Sequence, residues 1–376
     1  MLIQRLQANM AAVANSDLAR VRAGSLTARA AAAAVQVVNP ARRSDWGDLL
    51  AAYSDSTFFH GTAWAKTLEG SYGYAPVYLT VEEAGAVRSL LPLMEVNSRI
   101  TGRRGIALPF TDDCGPLYED SAWAHRLIQS AATLGKSRGW KSVEFRGGRE
   151  LFPNAPASIS FYGHRLGLEE DEEAMFGLLD GSTRRAIRKA ERSGVSVSVS
   201  GGMDAMKTFY TLHCKTRRRH GLPPQPFVFF SNICRHILSR DQGMVVVASY
   251  ENRPIAASVY FQLGNRAIYK FGASDESFQY LRGPSLVMWE AMKRLARHGA
   301  RTLDMGRTSV GNEGLRRFKL NWGAQERKVE YVKYDLRRNV FVTEEDATEG
   351  WHNRIFRVLP EGVLRMIGAA LYRHLA

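Results

Sequence analysis

The alternation of apolar and polar positions becomes globular at Val35 and then follows the same course twice. Residues 35–38 read as a short strand, and helical spacing starts at Asp45 and runs through Tyr53. Residues 78–81 and 89–94 are apolar runs on either side of Glu83-Ala84-Gly85, the signal of a hairpin. A loop over 108–117 leads to a helical run over 121–138, stopped by Gly139, and to a buried-type strand over 142–145. Farther on, runs 244–250 and 255–261 flank Asn252-Arg253-Pro254, and 266–271 adds a strand. A helix over 284–298 starts at Pro284 and stops at Gly299, and 302–305 is again a buried-type strand.

The two helix exits resemble each other. Gly139-Trp140-Lys141-Ser142-Val143-Glu144 and Gly299-Ala300-Arg301-Thr302-Leu303-Asp304 lie 160 residues apart and both read turn, basic residue, hydroxyl, aliphatic, carboxylate. Each closes the order strand, turn, strand, helix, strand, which predicts two copies of one α/β unit joined over 165–180. The expected domains are a flexible leader over 1–34, an N-terminal unit over 35–165, a C-terminal unit over 166–340 and a basic amphipathic tail over 341–376. The leader is rich in Ala and Arg but lacks the apolar core of a secretory signal. The tail interleaves Ile355, Phe356, Val358, Val363, Leu364 and Ile367 with Arg354, Arg357, Arg365 and Arg373. Packing on its own protein is the expected role, with adhesion to an anionic membrane face as the alternative. Between the units, Ser182 is expected to cap a helix through Arg192, and Asp204 another through His220.

A length of 376 residues suits two such units, and no run approaches the ~20 apolar residues of a membrane span. The three cysteines, Cys114, Cys214 and Cys234, form no CxxC, which speaks against a disulfide framework and for a reducing compartment. His213, Cys214, His220, Cys234 and His236 match no common ligand spacing, so no metal is expected. The sequence has no GxSxG, Walker or dinucleotide glycine fingerprint, so hydrolase, kinase and dehydrogenase readings have no support. Residues 171–335 hold 27 basic and 16 acidic side chains, +11 of the net +14. That concentration suggests a polyanionic partner for the second half, with a merely solvated basic face as the alternative.

Three features of that half could carry chemistry. Phe271-Gly272-Ala273-Ser274 is followed by Tyr280-Leu281-Arg282-Gly283-Pro284-Ser285 at a helix start, where backbone N–H groups and Arg282 could hold phosphate. Arg184, Arg188 and Arg192 share one helix face beside Arg185 and Lys189, a costly row unless phosphates neutralise it. Asp304, at the end of a buried-type strand, is either paired with Arg307 or Lys319 or poised at a substrate amine.

Taken together, Arg184-Arg185-Ala186-Ile187-Arg188-Lys189-Ala190-Glu191-Arg192-Ser193-Gly194-Val195, Leu303-Asp304-Met305-Gly306-Arg307-Thr308 and Arg316-Arg317-Phe318-Lys319-Leu320-Asn321-Trp322-Gly323-Ala324 resemble the Fem-type branch of the GNAT acyltransferases. Leu108-Pro109-Phe110 and Cys114-Gly115-Pro116-Leu117 add to the likeness, which is greatest to FemAB-related proteins of exosortase/PEP-CTERM and exopolysaccharide systems with a BioF2-like acetyltransferase domain. The resemblance spans about residues 36–376. It implies an α/β (α+β) fold of two tandem GNAT-like domains, mixed central sheets flanked by helices, and transfer of an acyl or aminoacyl group to an amine.

The family's pyrophosphate loop falls on Tyr280 to Ser285, but Tyr280 replaces a basic or amide residue and Ser285 the final small one. An aminoacyl-tRNA therefore stands beside acyl-CoA as the expected co-substrate, with no permanently bound cofactor. On this reading Phe271 and Gly272 present backbone N–H groups to the reacting carbonyl, while Arg282, Gly283, Ser285, Arg185 and Arg188 hold donor phosphates. Asp304, Arg307 and Lys319 are the expected catalytic residues. The expected acceptor is an amine-bearing saccharide or peptide precursor of the envelope, met in the cytoplasm or at the inner face of the membrane. A non-catalytic polyanion-binding scaffold is the rival reading.

Overall fold

The computed structural model describes residues 26–344 and 351–375. Its strands are β1 (Val35–Val38), β2 (Ala75–Pro76), β3 (Tyr78–Glu83), β4 (Ala86–Leu91), β5 (Met94–Ser98), β6 (Gly102–Ile106), β7 (Leu117–Tyr118), β8 (Ser142–Arg146) and β9 (Ile159–Gly167). They continue as β10 (Ser196–Ser200), β11 (Gly243–Tyr250), β12 (Arg253–Leu263), β13 (Arg266–Ser274), β14 (Thr302–Ser309), β15 (Gln325–Asp335) and β16 (Val340–Val342). The longer helices are α1 (Thr62–Tyr72), α2 (Ser121–Ser137), α3 (Gly181–Arg192), α4 (Met203–Arg219), α5 (Phe227–His236), α6 (Gly283–Arg297), α7 (Glu313–Leu320), α8 (Trp351–Val358) and α9 (Glu361–Leu371).

A mixed sheet runs through both halves in the order β10-β11-β12-β13-β14-β9-β15-β8-β6-β5-β2, and a smaller sheet, β1-β3-β4-β7, flanks it. The duplication is explicit in two parallel pairs, each bridged by one helix. β6 and β8 match Gly105 with Val143 and Ile106 with Glu144, across α2. β13 and β14 match Arg266 with Thr302, Ala267 with Leu303 and Ile268 with Asp304, across α6. The fold is thus the tandem α/β arrangement expected, with helices on the sheet's faces.

Several local expectations change. The apolar run 89–94 is two strands in different sheets, because Pro92 lacks the N–H a continuous ladder needs. Residues 159–167, next to the expected join, are a central strand antiparallel to both β14 and β15. β15 pairs with β9 along Gln325–Tyr331 and with β8 along Tyr331–Asp335, so it stitches the two halves into one sheet. The α3 N-cap is Asp180, which accepts from the Ser182 N–H at 2.8 Å, in place of Ser182. α4 begins at Gly202 without a side-chain cap, and Asp204 lies in its first turn. α5 follows the Pro-rich turn at 222–226 and buries Phe229, Phe230 and Ile233.

Of the leader, residues 1–25 lie outside the described residues. Residues 26–32 are helical, with Ala30 buried and Arg29 paired with Glu83 at 2.7 Å. The tail folds back: α8 and α9 pack on α4, and Tyr372 and His374 reach the first half, where Tyr74 Oη donates to Tyr372 O at 3.1 Å.

An aromatic core is common to both halves. Phe58 stacks on Phe261 at 4.8 Å, and Trp64 and Tyr72 meet Phe229 at 5.9 and 5.4 Å. Each such ring buries enough apolar area to stabilise the arrangement by ~2–3 kcal/mol, so the halves are held in a fixed relation.

Candidate active site

The two parallel pairs are the places where the sheet opens. Beyond Ile268 and Asp304, β13 and β14 no longer pair, leaving a V between Tyr269–Ser274 and Met305–Ser309 with Asp304 at its vertex. β14 bulges between Asp304 and Arg307, and Gly306 takes φ +70° there, which a side chain would resist. Lys319, 2% exposed, donates to the carbonyls of Gly306 (2.9 Å) and Arg307 (3.0 Å) and so holds the bulge in shape.

A loop of the first half enters this V. After β6 the chain turns through Leu108 and Phe110, both at positive φ (51° and 60°), and presents Asp112 towards Gly306. Three side chains of the second half grip it. Lys270 Nζ donates to Phe110 O at 2.6 Å and lies 3.4 Å from Asp112 Oδ2, inside a cage of Phe59, Trp64 and Phe271 rings. Tyr331 Oη donates to Asp112 O and accepts from Arg307, each at 2.8 Å. Arg307 also stacks over the Phe161 ring at 4.1 Å and lies 3.7 Å from Asp112.

The carboxylates differ in character. Burial alone would raise the Asp112 pKa, but Lys270, Arg307 and Lys319 outweigh it and hold the group below the ordinary carboxylate range. Burial raises the Asp304 pKa, and the Gly306 N–H at 2.8 Å only partly offsets this; Asp112 pushes it further up. The cations closest to Asp304, Arg165 and Arg327, stand 3.8 and 4.0 Å away. Glu144, its counterpart in the first half, has Arg146 at 2.6 Å, and although burial opposes this, its pKa is lowered. The first opening is moreover closed by its own chain: Cys114 N–H rejoins Arg146 O at 2.6 Å. One copy of the carboxylate is therefore neutralised, and the other is left basic and reachable.

Asp304 lines a small cavity of about 40 Å³ together with Ile268, Asp112, Asp113, Arg165 and Arg266. Thr57, Asp113, Arg165 and Arg266 also line an outer cleft of about 600 Å³, which includes Arg327 and an acidic wall of Asp55, Glu119 and Glu150. Arg327 pairs with Asp113 at 2.7 Å, and Arg266 donates to Ser56 O at 3.1 Å. A half-buried vertex carboxylate with guanidinium groups at the mouth can take a proton from an amine whose other parts are anionic.

The expected site residues distribute unevenly around this centre. Asp304 is at the vertex, but its expected partners are engaged elsewhere: Arg307 with Asp112 and Tyr331, Lys319 with backbone carbonyls. Burial lowers the Lys319 pKa to about 8, and its ammonium shapes the bulge instead of facing a substrate. Phe271 packs its ring among Phe209, Phe229 and Phe230, and Gly272 lies under Tyr269, whose hydroxyl a Cβ there would overlap. Both belong to the arm of the V that β14 leaves open, whose other edge pairs with β12, Phe271 with Val259 and Gly272 with Ser258. Arg282 takes φ +59° as the N-cap of α6 and Gly283 is buried against Ile255. The Arg282 N–H is taken up by Gln279 O and the Ser285 N–H by Arg282 O.

Arg185 and Arg188 are not brought to the vertex. α3 and α6 pack with Leu303 and Met305 on one face of the sheet, so Asp304, by strand alternation, is on the other. Arg188 stacks on Phe176 at 5.2 Å. Asp112, Lys270, Tyr331, Arg165, Arg266 and Arg327 are the residues that sequence reasoning missed. The one signal for Asp112 was its place in the 108–117 loop.

Residues 181–320 match the family model described as Acetyltransferase (GNAT) domain. No curated protein matches the sequence. Among solved structures, FemX is 13% identical, covers 79% of this chain and 96% of its own, with a TM-score of 0.64. A tandem GNAT protein from the clavulanic acid biosynthesis pathway is 12% identical with a TM-score of 0.51, over 81% of this chain and 99% of its own. L-PGS from Bacillus licheniformis is 10% identical with a TM-score of 0.50, over 89% and 98%. Residues 181–320 thus match a GNAT acetyltransferase domain, and the chain as a whole shares the fold of tandem GNAT structures.

Proposed function

We propose that the protein is a Fem-type N-acyltransferase that moves an acyl group from acyl-CoA to an amine of an envelope or exopolysaccharide precursor on the cytoplasmic side of the membrane. The observation that carries this reading is the V between β13 and β14 with the half-buried Asp304, its pKa raised by desolvation, at its vertex. The C-terminal unit would hold the donor in the V, and the N-terminal unit would supply the Asp112 loop and one wall of the acceptor cleft.

In the proposed step, the acceptor amine bonds to the thioester carbonyl carbon and gives its proton to Asp304. The carbon–sulfur bond then breaks, the coenzyme leaves as the thiolate, and the proton passes on to it. Backbone N–H groups on the open arm near Phe271 and Gly272 would stabilise the oxyanion, and Arg282 and Gly283 would meet the donor phosphates at the α6 N-terminus. Arg165, Arg266 and Arg327 would orient anionic parts of the acceptor. Lys319 and Arg307 act as positioning residues, through the bulge and the Asp112 loop.

The concentration of positive charge in residues 171–335 also favours a second reading, an aminoacyl-tRNA donor. Mass spectrometry of products formed from acetyl-CoA or from aminoacyl-tRNA, with amine acceptors such as amino sugars and lysine-containing peptides, distinguishes the two. Acylated amine from acetyl-CoA alone supports the first reading; product from aminoacyl-tRNA alone replaces it with the second.

A further inference from the structure

Among the described residues nothing packs on the outer face of the C-terminal helices, and that face is apolar. In α9, Leu364 and Gly368 face inward, with Gly368 packed so tightly that a Cβ would overlap Pro224 O. The opposite side presents Gly362, Val363, Met366, Ala369 and Ala370 to solvent, so this helix is apolar on both faces. A helix of that kind in water normally has something covering its second face. α8 continues the surface with Ile355 and Val358. The exposures are high for such side chains: 75% for Val358, 71% for Met366 and 46% for Ile355.

The surrounding charge identifies what would cover it. Between 353 and 375 the charged side chains are Arg354, Arg357, Arg365 and Arg373 against Glu361, and all four arginines are exposed. Arg218 extends the basic border, donating to Arg357 O at 3.4 Å, and Arg365 lies over the Tyr210 ring at 5.4 Å. A second copy of this face would bring arginines against arginines. A bilayer with anionic headgroups meets both properties at once, taking the apolar row into its interfacial region while phosphates neutralise the rim. No helix among the described residues is long and apolar enough to cross a membrane, so attachment would be at the surface.

We infer that the α8–α9 hairpin is a docking surface for an anionic lipid membrane, with Ile355, Val358, Val363 and Met366 inserted and Arg354, Arg357, Arg365 and Arg373 at headgroup level. This does not depend on which donor the active site uses. The surface is anchored to the catalytic half and to the cleft loop. Tyr372, at the end of α9, accepts from Arg217 through its hydroxyl at 2.8 Å, and its ring lies 6.0 Å from that of Phe110, whose carbonyl holds Lys270.

The test is co-sedimentation of the full chain with vesicles of phosphatidylcholine alone and of equimolar phosphatidylcholine and phosphatidylglycerol. Light scattering of the free protein is run in parallel. The wild type is expected to sediment with the anionic vesicles only, and less so at high salt. A variant carrying Val358→Glu and Met366→Glu should bind them more than about tenfold more weakly, because two inserted apolar side chains become charged. Both positions are exposed, so the variant should melt with the wild type. Arg354→Gln with Arg357→Gln should weaken binding while leaving the apolar row intact. The inference is overturned if the wild type binds neither vesicle, if the Glu variant binds as well as the wild type, or if scattering reveals a dimer that the Glu variant dissociates without any vesicle binding.

Discussion

Glu144 and Asp304 are equivalent positions of a duplicated unit, and the structure assigns them opposite consequences when their charge is removed. Glu144 neutralises Arg146 at 2.6 Å with both side chains nearly out of solvent, 12% and 10% exposed. Stripping the partner from a buried charge costs about 3–5 kcal/mol; Glu144→Gln should fall near 3, because the amide oxygen still accepts one hydrogen bond. With an unfolding entropy that scales with length, a chain of 376 residues should then melt roughly 4 °C lower. Asp304→Asn should behave differently, because its oxygen still accepts from the Gly306 N–H while an imperfectly paired, half-buried charge disappears. A carboxyl group whose pKa is raised by folding stabilises the protein when protonated, and that contribution is lost as pH rises through the folded-state value. At neutral pH the Asn variant should therefore melt at or above the wild type, while acyl transfer falls by about 10²–10⁴, the range for losing a positioned base. Differential scanning fluorimetry and initial rates, run on both variants, check this. An Asn variant that keeps its rate, or a Gln variant that keeps its stability but loses its rate, refutes the assignment of chemistry to the second copy.

Further outcomes follow from the same geometry. Gly306→Ala places a Cβ 3.0 Å from Asp112 Oδ2 at a φ of +70°, and should cost about 1–2 kcal/mol while reducing acyl transfer more than the melting shift explains. The rate should fall on acidification with an apparent pKa above the ordinary carboxylate value of about 4, as Asp304 protonates, and the Asp304→Asn variant should lack that limb. Phe229→Ala, in the core common to both halves, should destabilise by about 3–5 kcal/mol as measured by urea unfolding, with both halves melting together.

What the chain reveals by itself is the part governed by local rules. The 160-residue echo between Ser142–Phe145 and Thr302–Met305 is legible because each strand exit repeats the same steric sequence, and the structure pairs Glu144 with Ile106 as it pairs Asp304 with Ile268. Gly139 and Gly299, both at positive φ, mark the helix stops in each copy. Long-range events are not legible. Nothing local at Asp112 signals that its loop crosses into the other unit, because that placement depends on Lys270 and Tyr331, more than 150 residues away. β15 escapes a period-2 reading because it serves two neighbours in succession, and its Arg327 faces a cleft that only the folded sheet creates. The arginine row on α3 draws attention through its charge, yet alternation along β14 sends Asp304 to the other face of the sheet. Charge in sequence marks a surface; it does not say which side of a sheet that surface lies on.

On the proposed mechanism the donor enters the second opening and not the first. The most direct measurement is a crystal structure of the full chain soaked with a non-reactive acyl-CoA analogue. The pantetheine arm is expected between Tyr269–Ser274 and Met305–Ser309, its acyl carbonyl beside Asp304 and its phosphates at Arg282 and Gly283. An analogue lodged between β6 and β8, or a saturated soak that leaves the opening between β13 and β14 without the analogue, would contradict it.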